Sequence, residues 1–203
     1  MSLREDAILL SLREETEKYP MGKAMQIMPE EGQLLSLLIR MISARSVLEI
    51  GTFTGYSSLC IARSLPPDGR LVTCDISPKW PGIAVPYWKE AGVHNRIELL
   101  IGDARDTLDN LLNTLGEAAF DAVFIDADKS GYSEYFERSL QLTRSGGLII
   151  VDNTLYFGRV IDSEFQDADT KAIREFNGFL LQDSRIELSM LPFADGVTLA
   201  VKK

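Results

Sequence analysis

Histidine occurs once and cysteine twice in these 203 residues, and that scarcity removes whole classes of chemistry. His94, Cys60 and Cys74 cannot assemble a four-ligand nitrogen–sulfur zinc site, so any metal must be held mostly by oxygen. A Ser-His-Asp triad has only His94 to use. That residue sits in Gly92-Val93-His94-Asn95-Arg96, a polar turn of the kind that faces solvent. Both cysteines lie in apolar stretches, and Met1 to Asp6 has no basic-then-apolar export pattern, so buried thiols are expected rather than a disulfide framework. No apolar run approaches the ~18 residues of a membrane span. Basic charge is short as well: 21 Lys and Arg against 30 Asp and Glu leave a net −9. That balance disfavours a surface that grips duplex nucleic acid through counterion release. The expectation is a cytoplasmic protein with neither a membrane nor a nucleic acid as its partner.

What is present suits a packed α/β core. Hydrophobic residues make up 45% and charged residues 25%, with no internal repeat, low-complexity tract or linker, so residues 1–203 are expected to form a single domain. Residues 1–45 look helical, first with mixed charge (Leu3 to Tyr19) and then apolar (Gly32 to Ile42). After Arg45, short β-type runs alternate with helix-length segments: Val47–Ile50, Leu71–Cys74, Ile97–Ile101, Ala122–Ile125 and Leu148–Val151. Apolar strands between helices predict a doubly wound, Rossmann-like parallel sheet covered on both faces. A helix near Thr170 to Leu181 precedes two more strand-like runs, Ile186–Met190 and Val197–Val201, whose short link predicts an antiparallel pair.

Ligands of such sheets bind beyond the carboxyl ends of the strands. All five of the first runs carry a carboxylate there: Glu49, Asp75, Asp103, Asp126 and Asp152. The turn Glu49-Ile50-Gly51-Thr52-Phe53-Thr54-Gly55-Tyr56-Ser57 spaces its glycines as Gly-x-x-x-Gly. The dinucleotide fingerprint, with two glycines flanking one residue to admit a pyrophosphate, is therefore absent, and a nicotinamide oxidoreductase is disfavoured. Gly51 supplies a backbone shape barred to bulkier residues, and Gly55 permits close approach of a ligand or of the strand. Asp75 lies 24 residues beyond Gly51, where a carboxylate can accept both ribose hydroxyl protons. The combination fits a nucleoside without phosphates such as S-adenosylmethionine, with Glu49 toward its ammonium end and Gly102-Asp103-Ala104 flanking the adenine.

Asp126-Ala127-Asp128-Lys129 and Asp152-Asn153 are separated by one helix and a return strand, which brings both to one sheet edge. Asp126, Asp152 and the Asn153 amide are hard oxygen donors suited to Mg²⁺ first, or to Mn²⁺ or Ca²⁺. A cation also relieves the repulsion of the paired carboxylates. Lys129, three residues past Asp126, can point into the same site and accept a proton from a hydroxyl.

Met25 to Gln33, Val47 to Ser57, Phe120 to Tyr132, Gly146 to Asn153 and Leu191 to Gly196 together resemble the cation-dependent class I S-adenosylmethionine O-methyltransferases, the caffeoyl-CoA and catechol O-methyltransferase group. The resemblance runs from about residue 25 to the C-terminus. It implies a seven-stranded sheet with an antiparallel last strand, a metal held by Asp126, Asp152 and Asn153, and Lys129 as the base. It further implies cofactor contacts at Glu49, Gly51, Thr52, Ser57, Asp75, Ala104 and Asp128, and a homodimer. Plant CoA-ester members have a cofactor-contacting threonine at the position of Ile27, so that side-chain hydrogen bond cannot form here, and Trp-Asn at Tyr156-Phe157, where the loss of the Asn removes a polar substrate contact and argues against a CoA thioester acceptor. The expected reaction is methyl transfer from S-adenosylmethionine to a hydroxyl of a small, catechol-like aromatic, with the N-terminal helical segment contributing to the acceptor pocket. Tyr156 and Phe157 are candidates for that pocket, and Met21, Met25 and Met28 for either its entrance or the core. Two alternatives stand beside it: methylation of a hydroxylated uridine in tRNA, and noncatalytic binding of S-adenosylmethionine.

Overall fold

A computed structural model of the chain describes residues 3–203; Met1 and Ser2, where the reading for an export signal begins, lie outside them. The helices are α1 (Ala7–Glu17), α2 (Gly22–Met25), α3 (Pro29–Met41), α4 (Tyr56–Ser64), α5 (Pro81–Glu90), α6 (Ala104–Leu115), α7 (Tyr132–Leu142) and α8 (Ala168–Gln182). The strands are β1 (Ser46–Ile50), β2 (Arg70–Asp75), β3 (Ile97–Ile101), β4 (Phe120–Ile125), β5 (Thr143–Val151), β6 (Ile186–Leu191) and β7 (Val197–Lys202). The fold is the expected doubly wound, Rossmann-like α/β one of seven strands, with β7 antiparallel to both its neighbours. No described helix is long and apolar enough to cross a membrane.

Two compact units divide the chain, Met1–Asp103 and Ala104–Lys203. In the first, β2 lies between β1 and β3 and pairs with both in parallel. Val47 to Ile50 of β1 and Leu71 to Cys74 of β2 are fully enclosed, which is why they read as mostly apolar runs, broken only by the buried Glu49 and Thr73, rather than as alternating ones. Helix α1 begins where the Asp6 carboxylate accepts from the Ile8 and Leu9 amides at 3.1 and 3.0 Å. Its buried face carries Leu12 and Thr16, and the Thr16 hydroxyl meets that of Thr54 at 2.8 Å. Glu5 accepts from both Arg13 (2.8 Å) and the Tyr56 hydroxyl (2.8 Å), tying the N-terminal segment to the start of α4. The helical reading of residues 1–45 is interrupted: between α1 and α3 only the single turn of α2 is helical, entered through Met21 at φ +62°. Pro29 then opens α3 with Glu30 and Glu31 in the first turn, where their charge favours the helix dipole.

In the second unit the order is β4-β5-β7-β6. Strand β5 starts earlier than its apolar half predicts: Thr143 pairs with Phe120, the register shifts, and Leu148 to Val151 then pair with Ala122 to Ile125. The polar stretch Thr143 to Gly147 is thus the near side of an irregular ladder. Behind it, Phe136 of α7 and Phe176 of α8 meet edge to face at 5.7 Å, and both are wholly buried. Each such ring contributes about 1.5–3 kcal/mol through burial. Helix α8 is capped by Asp167, which accepts from the Thr170 amide (3.0 Å) and hydroxyl (2.7 Å).

Candidate active site

In the first unit, the turn after β1 is built from hydrogen bonds to buried oxygen. The Gly51 amide donates to the Cys74 carbonyl at 2.9 Å, continuing the parallel ladder one residue past the strand. Glu49 is wholly enclosed, and its Oε2 accepts from the Thr73 hydroxyl at 2.6 Å and from the Ser58 hydroxyl. Thr52 Oγ1 lies 2.6 Å from Thr73 Oγ1, so one buried chain joins Thr52, Thr73, Glu49 and Ser58. Asp75, half-buried, holds the other side of the turn: its Oδ2 accepts from the Thr52 and Phe53 amides at 3.2 and 2.8 Å, and its Oδ1 from the Ser77 amide at 2.8 Å. A carboxylate oxygen has a second lone pair, so these bonds leave capacity for a ligand hydroxyl. Ser57 stands buried in the first turn of α4.

Gly55 resolves an alternative left open by the sequence. Its φ is +77°, and an added Cβ would lie 2.5 Å from Ala84 Cβ and 2.7 Å from Trp88 Cζ2. The close neighbour is therefore helix α5, whose Trp88 also donates from Nε1 to the Gly55 carbonyl at 3.2 Å. Trp88 is core, whereas Trp80 stacks edge-on with Tyr19 at 5.6 Å and tilts against Phe53 at 5.4 Å. Met21, Met25 and Met28 are all at least half exposed and fill no gap in the core. Asp103 and Ala104, half-buried, close the turn after β3 and open α6.

In the second unit, β4 and β5 deliver the other candidates to neighbouring strand ends. The Asp152 amide donates to the Ile125 carbonyl at 3.0 Å, so the ladder runs one residue beyond β5 and sets Asp152 beside the start of Asp126-Ala127-Asp128-Lys129. Asp152 is 3% exposed, and its Oδ1 accepts from the Asn153 amide at 2.6 Å. Asn153 takes the left-handed conformation, φ +56°, and its Oδ1 accepts from Lys129 Nζ at 2.5 Å. The same ammonium donates to Asp126 Oδ1 at 3.2 Å and to the Tyr132 hydroxyl at 2.6 Å. Asp128 faces elsewhere: it accepts from Tyr135 Oη (2.5 Å) and Ser130 Oγ (2.8 Å). Burial pushes its carboxyl up, but the Tyr135 and Ser130 hydrogen bonds together with the Arg105 charge and a backbone amide hold it below the usual carboxylate range.

Asp126 and Asn153 thus already turn acceptor oxygens onto one positive group, and a set of hard oxygens presented to a cation fits a divalent metal. Of the expected donors, Asp126 and Asn153 meet at the ammonium, while the Asp152 Oδ1 accepts from the Asn153 amide; among the described residues no group of three or more His, Cys, Asp or Glu side chains is arranged to hold a metal ion.

Several contributors escape a reading by motif. Tyr132 is wholly buried, accepts from Lys129 and donates to the Asp152 carbonyl at 3.2 Å. Its spacing of three from Lys129, one helical turn, is the signal that could have found it. Thr73 sits mid-strand with nothing to mark it. Asp195 lies in the β6–β7 link, where its Oδ1 accepts from the Phe157 amide at 2.5 Å and its carbonyl from the Leu155 amide at 2.9 Å. Burial pushes the Asp195 carboxyl up, against the opposing pull of the Phe157 amide and the Lys129 charge. The link thereby pins the segment that follows Asn153, in which Tyr156 and Phe157 take φ of +44° and +56°.

Comparison with known proteins places the chain in a family. The profile of a family described as O-methyltransferase matches residues 1–203. Catechol O-methyltransferase domain-containing protein 1 of Mus musculus is 41% identical over 201 residues, 99% of this chain and 76% of the mouse protein. Tricin synthase 2 of Oryza sativa subsp. japonica is 41% identical over 203 residues, 97% of this chain and 69% of that protein. Among solved structures, O-methyltransferase TomG from Streptomyces achromogenes, in complex with SAM, superposes with a TM-score of 0.89 at 36% identity, covering 100% of this chain and 92% of that one. An O-methyltransferase from Bacillus cereus in complex with SAH gives 0.90 at 34% identity, covering 100% and 94%. Glycine turn, strand-end carboxylates and full-length likeness converge: this chain belongs to the O-methyltransferase family and is an enzyme of that class.

Proposed function

We propose that the enzyme transfers the methyl group of S-adenosylmethionine to a hydroxyl of a small, catechol-like aromatic, with a divalent cation, Mg²⁺ first, held by Asp126, Asp152 and Asn153. The observation that carries the reading is the convergence of Asp126 and Asn153 oxygens on the Lys129 ammonium beside the buried Asp152. The likeness to structures in complex with SAM and SAH supports the choice of methyl donor.

In this reading the Gly51 turn and Asp75 hold the nucleoside, with Thr52, Ser57, Asp103 and Ala104 beside it. Glu49, enclosed behind the turn, keeps the loop in shape through the Thr73 and Ser58 hydroxyls and faces the ammonium end through that loop. Asp128 steadies the Asp126–Lys129 segment through Tyr135 and Ser130. Lys129, after its ammonium has released a proton to solvent, takes the hydroxyl proton of the acceptor at Nζ. When bound, a divalent cation supplies Lewis-acid stabilisation of the acceptor oxygen. Methyl transfer then requires in-line approach at about 3–3.5 Å, and much of the acceleration comes from that orientation. Tyr156 and Phe157 offer rings to the acceptor from the segment after Asn153. Residues 1–203 act as one methyltransferase domain, the N-terminal helices add to the acceptor pocket, and the enzyme is a cytoplasmic homodimer.

The test is a panel of small polyhydroxylated aromatics incubated with labelled methyl donor and with Mg²⁺, Mn²⁺ or Ca²⁺ singly. Label in a vicinal diol, and none in the matching monohydroxy compound, is expected. Label only in tRNA, or binding of the donor without transfer to any acceptor, would replace this reading with one of its alternatives.

A further inference from the structure

The oxygens assigned to the divalent cation already carry a positive group of the protein's own. Lys129 Nζ lies 2.5 Å from Asn153 Oδ1 and 3.2 Å from Asp126 Oδ1. It does not reach them by chance of an exposed side chain, since only 14% of the Lys129 side chain is accessible. Tyr132 holds it from behind: the ammonium donates to the phenol oxygen at 2.6 Å and stands 4.8 Å from the ring centroid. The phenol is itself fixed, wholly buried and donating to the Asp152 carbonyl at 3.2 Å.

From this geometry we propose that the Lys129 ammonium and the divalent cation compete for the same two oxygens, and that Tyr132 sets the strength of the competition by anchoring the lysine. The proposal rests on the metal reading given above. A hard cation needs its oxygen ligands at about 2.0–2.6 Å, and the Asn153 oxygen lies within 2.5 Å of the ammonium. Two positive centres on one such oxygen repel strongly in a poorly solvated site. Uptake of the ion and release of the lysine from Asp126 and Asn153 are therefore one event. The side chain freed from Asp126 and Asn153 is then able to turn toward an acceptor hydroxyl, so its approach to the acceptor follows uptake of the cation. Tyr132 is a positioning residue here, acting through Lys129.

Calorimetric titration of MnCl2 into the full-length protein, at one fixed pH and ionic strength, tests this without reference to turnover. One charge-assisted hydrogen bond is of the size that changes an affinity about tenfold. Lys129→Met is expected to bind Mn²⁺ about tenfold tighter than the wild type, and Tyr132→Phe about threefold tighter. A purely structural role for either residue would loosen the site and weaken binding instead. Equal or weaker affinity in both variants overturns the competition, while uptake by the wild type leaves the metal reading standing. Uptake by neither wild type nor variants overturns both. Should Lys129→Met fail to fold, the sign of the Tyr132→Phe change decides the matter alone.

Discussion

In the proposed reaction Lys129 bears the most demanding role of any single residue, and its surroundings make that role testable. Lys129→Met is expected to lower the rate of methyl transfer by about 10²–10⁴-fold, the usual worth of a positioned base. Donor affinity, measured by equilibrium titration of S-adenosylmethionine, should stay within about twofold, a margin far below one lost charged hydrogen bond. A retained rate and pH profile would reject the lysine as base. Thr73 makes a different kind of prediction. Its hydroxyl donates to a fully enclosed Glu49 and meets Thr52, so Thr73→Val leaves buried polar groups short of a partner and should cost about 1–3 kcal/mol in denaturant unfolding. An unchanged midpoint would show that the Glu49 carboxylate does not depend on it. At this scale the sequence was uneven. Asp126, Lys129, Asp152 and Asn153 stand at strand ends, where position alone advertises them. Thr73 acts from inside a strand and Tyr132 from the first residue of a helix, where a hydroxyl looks like ordinary polar punctuation until the fold shows its partner.

Among the elements, β1, β2 and β4 were legible because strands covered on both faces are predominantly apolar, and β3, half-exposed, because its short apolar run stands between two helices. The first half of β5 was not: Thr143, Arg144 and two glycines look like a loop, and only pairing across an irregular register makes them strand. The break between α1 and α3 was likewise hidden, since Met21 in the left-handed region has no propensity signal of its own. The β6–β7 link has the clearest functional consequence. Gly196, φ +86°, accepts at its carbonyl from the Thr154 amide and hydroxyl, both at 2.9 Å. A Cβ there would come within 2.6 Å of the Leu155 amide nitrogen. Gly196→Ala should therefore destabilise the protein by about 1–3 kcal/mol. It should also slow transfer more than it weakens donor binding, because the strained segment after Asn153 loses its anchor. Equal turnover with equal stability would mean that the segment does not need the link.

For the whole molecule, charge and thiols give the predictions. The Arg13 hydrogen bond holds Glu5 below the usual carboxylate range, the Thr170 amide does the same for Asp167, and Arg185 for Asp183. A carboxyl depressed in the folded state contributes stability that is complete above its unfolded value of about 4 and is lost as pH falls through the folded one. Melting temperature should thus hold near neutrality and drop on acidification below about pH 4; a flat profile there would contradict these assignments. Burial pushes both thiols up, Cys74 to about 12 and Cys60 further still. Neither should react with a thiol reagent in the native protein, and both should after denaturation.

The most direct measurement follows methyl transfer to a vicinal diol while the divalent cation is withdrawn and restored. Transfer is expected in Mg²⁺, to stop in excess chelator and to return when Mg²⁺ is added back, with Asp126→Ala folded but inert under all three conditions. Undiminished transfer by the wild type in chelator, or by Asp126→Ala in Mg²⁺, would contradict the metal role.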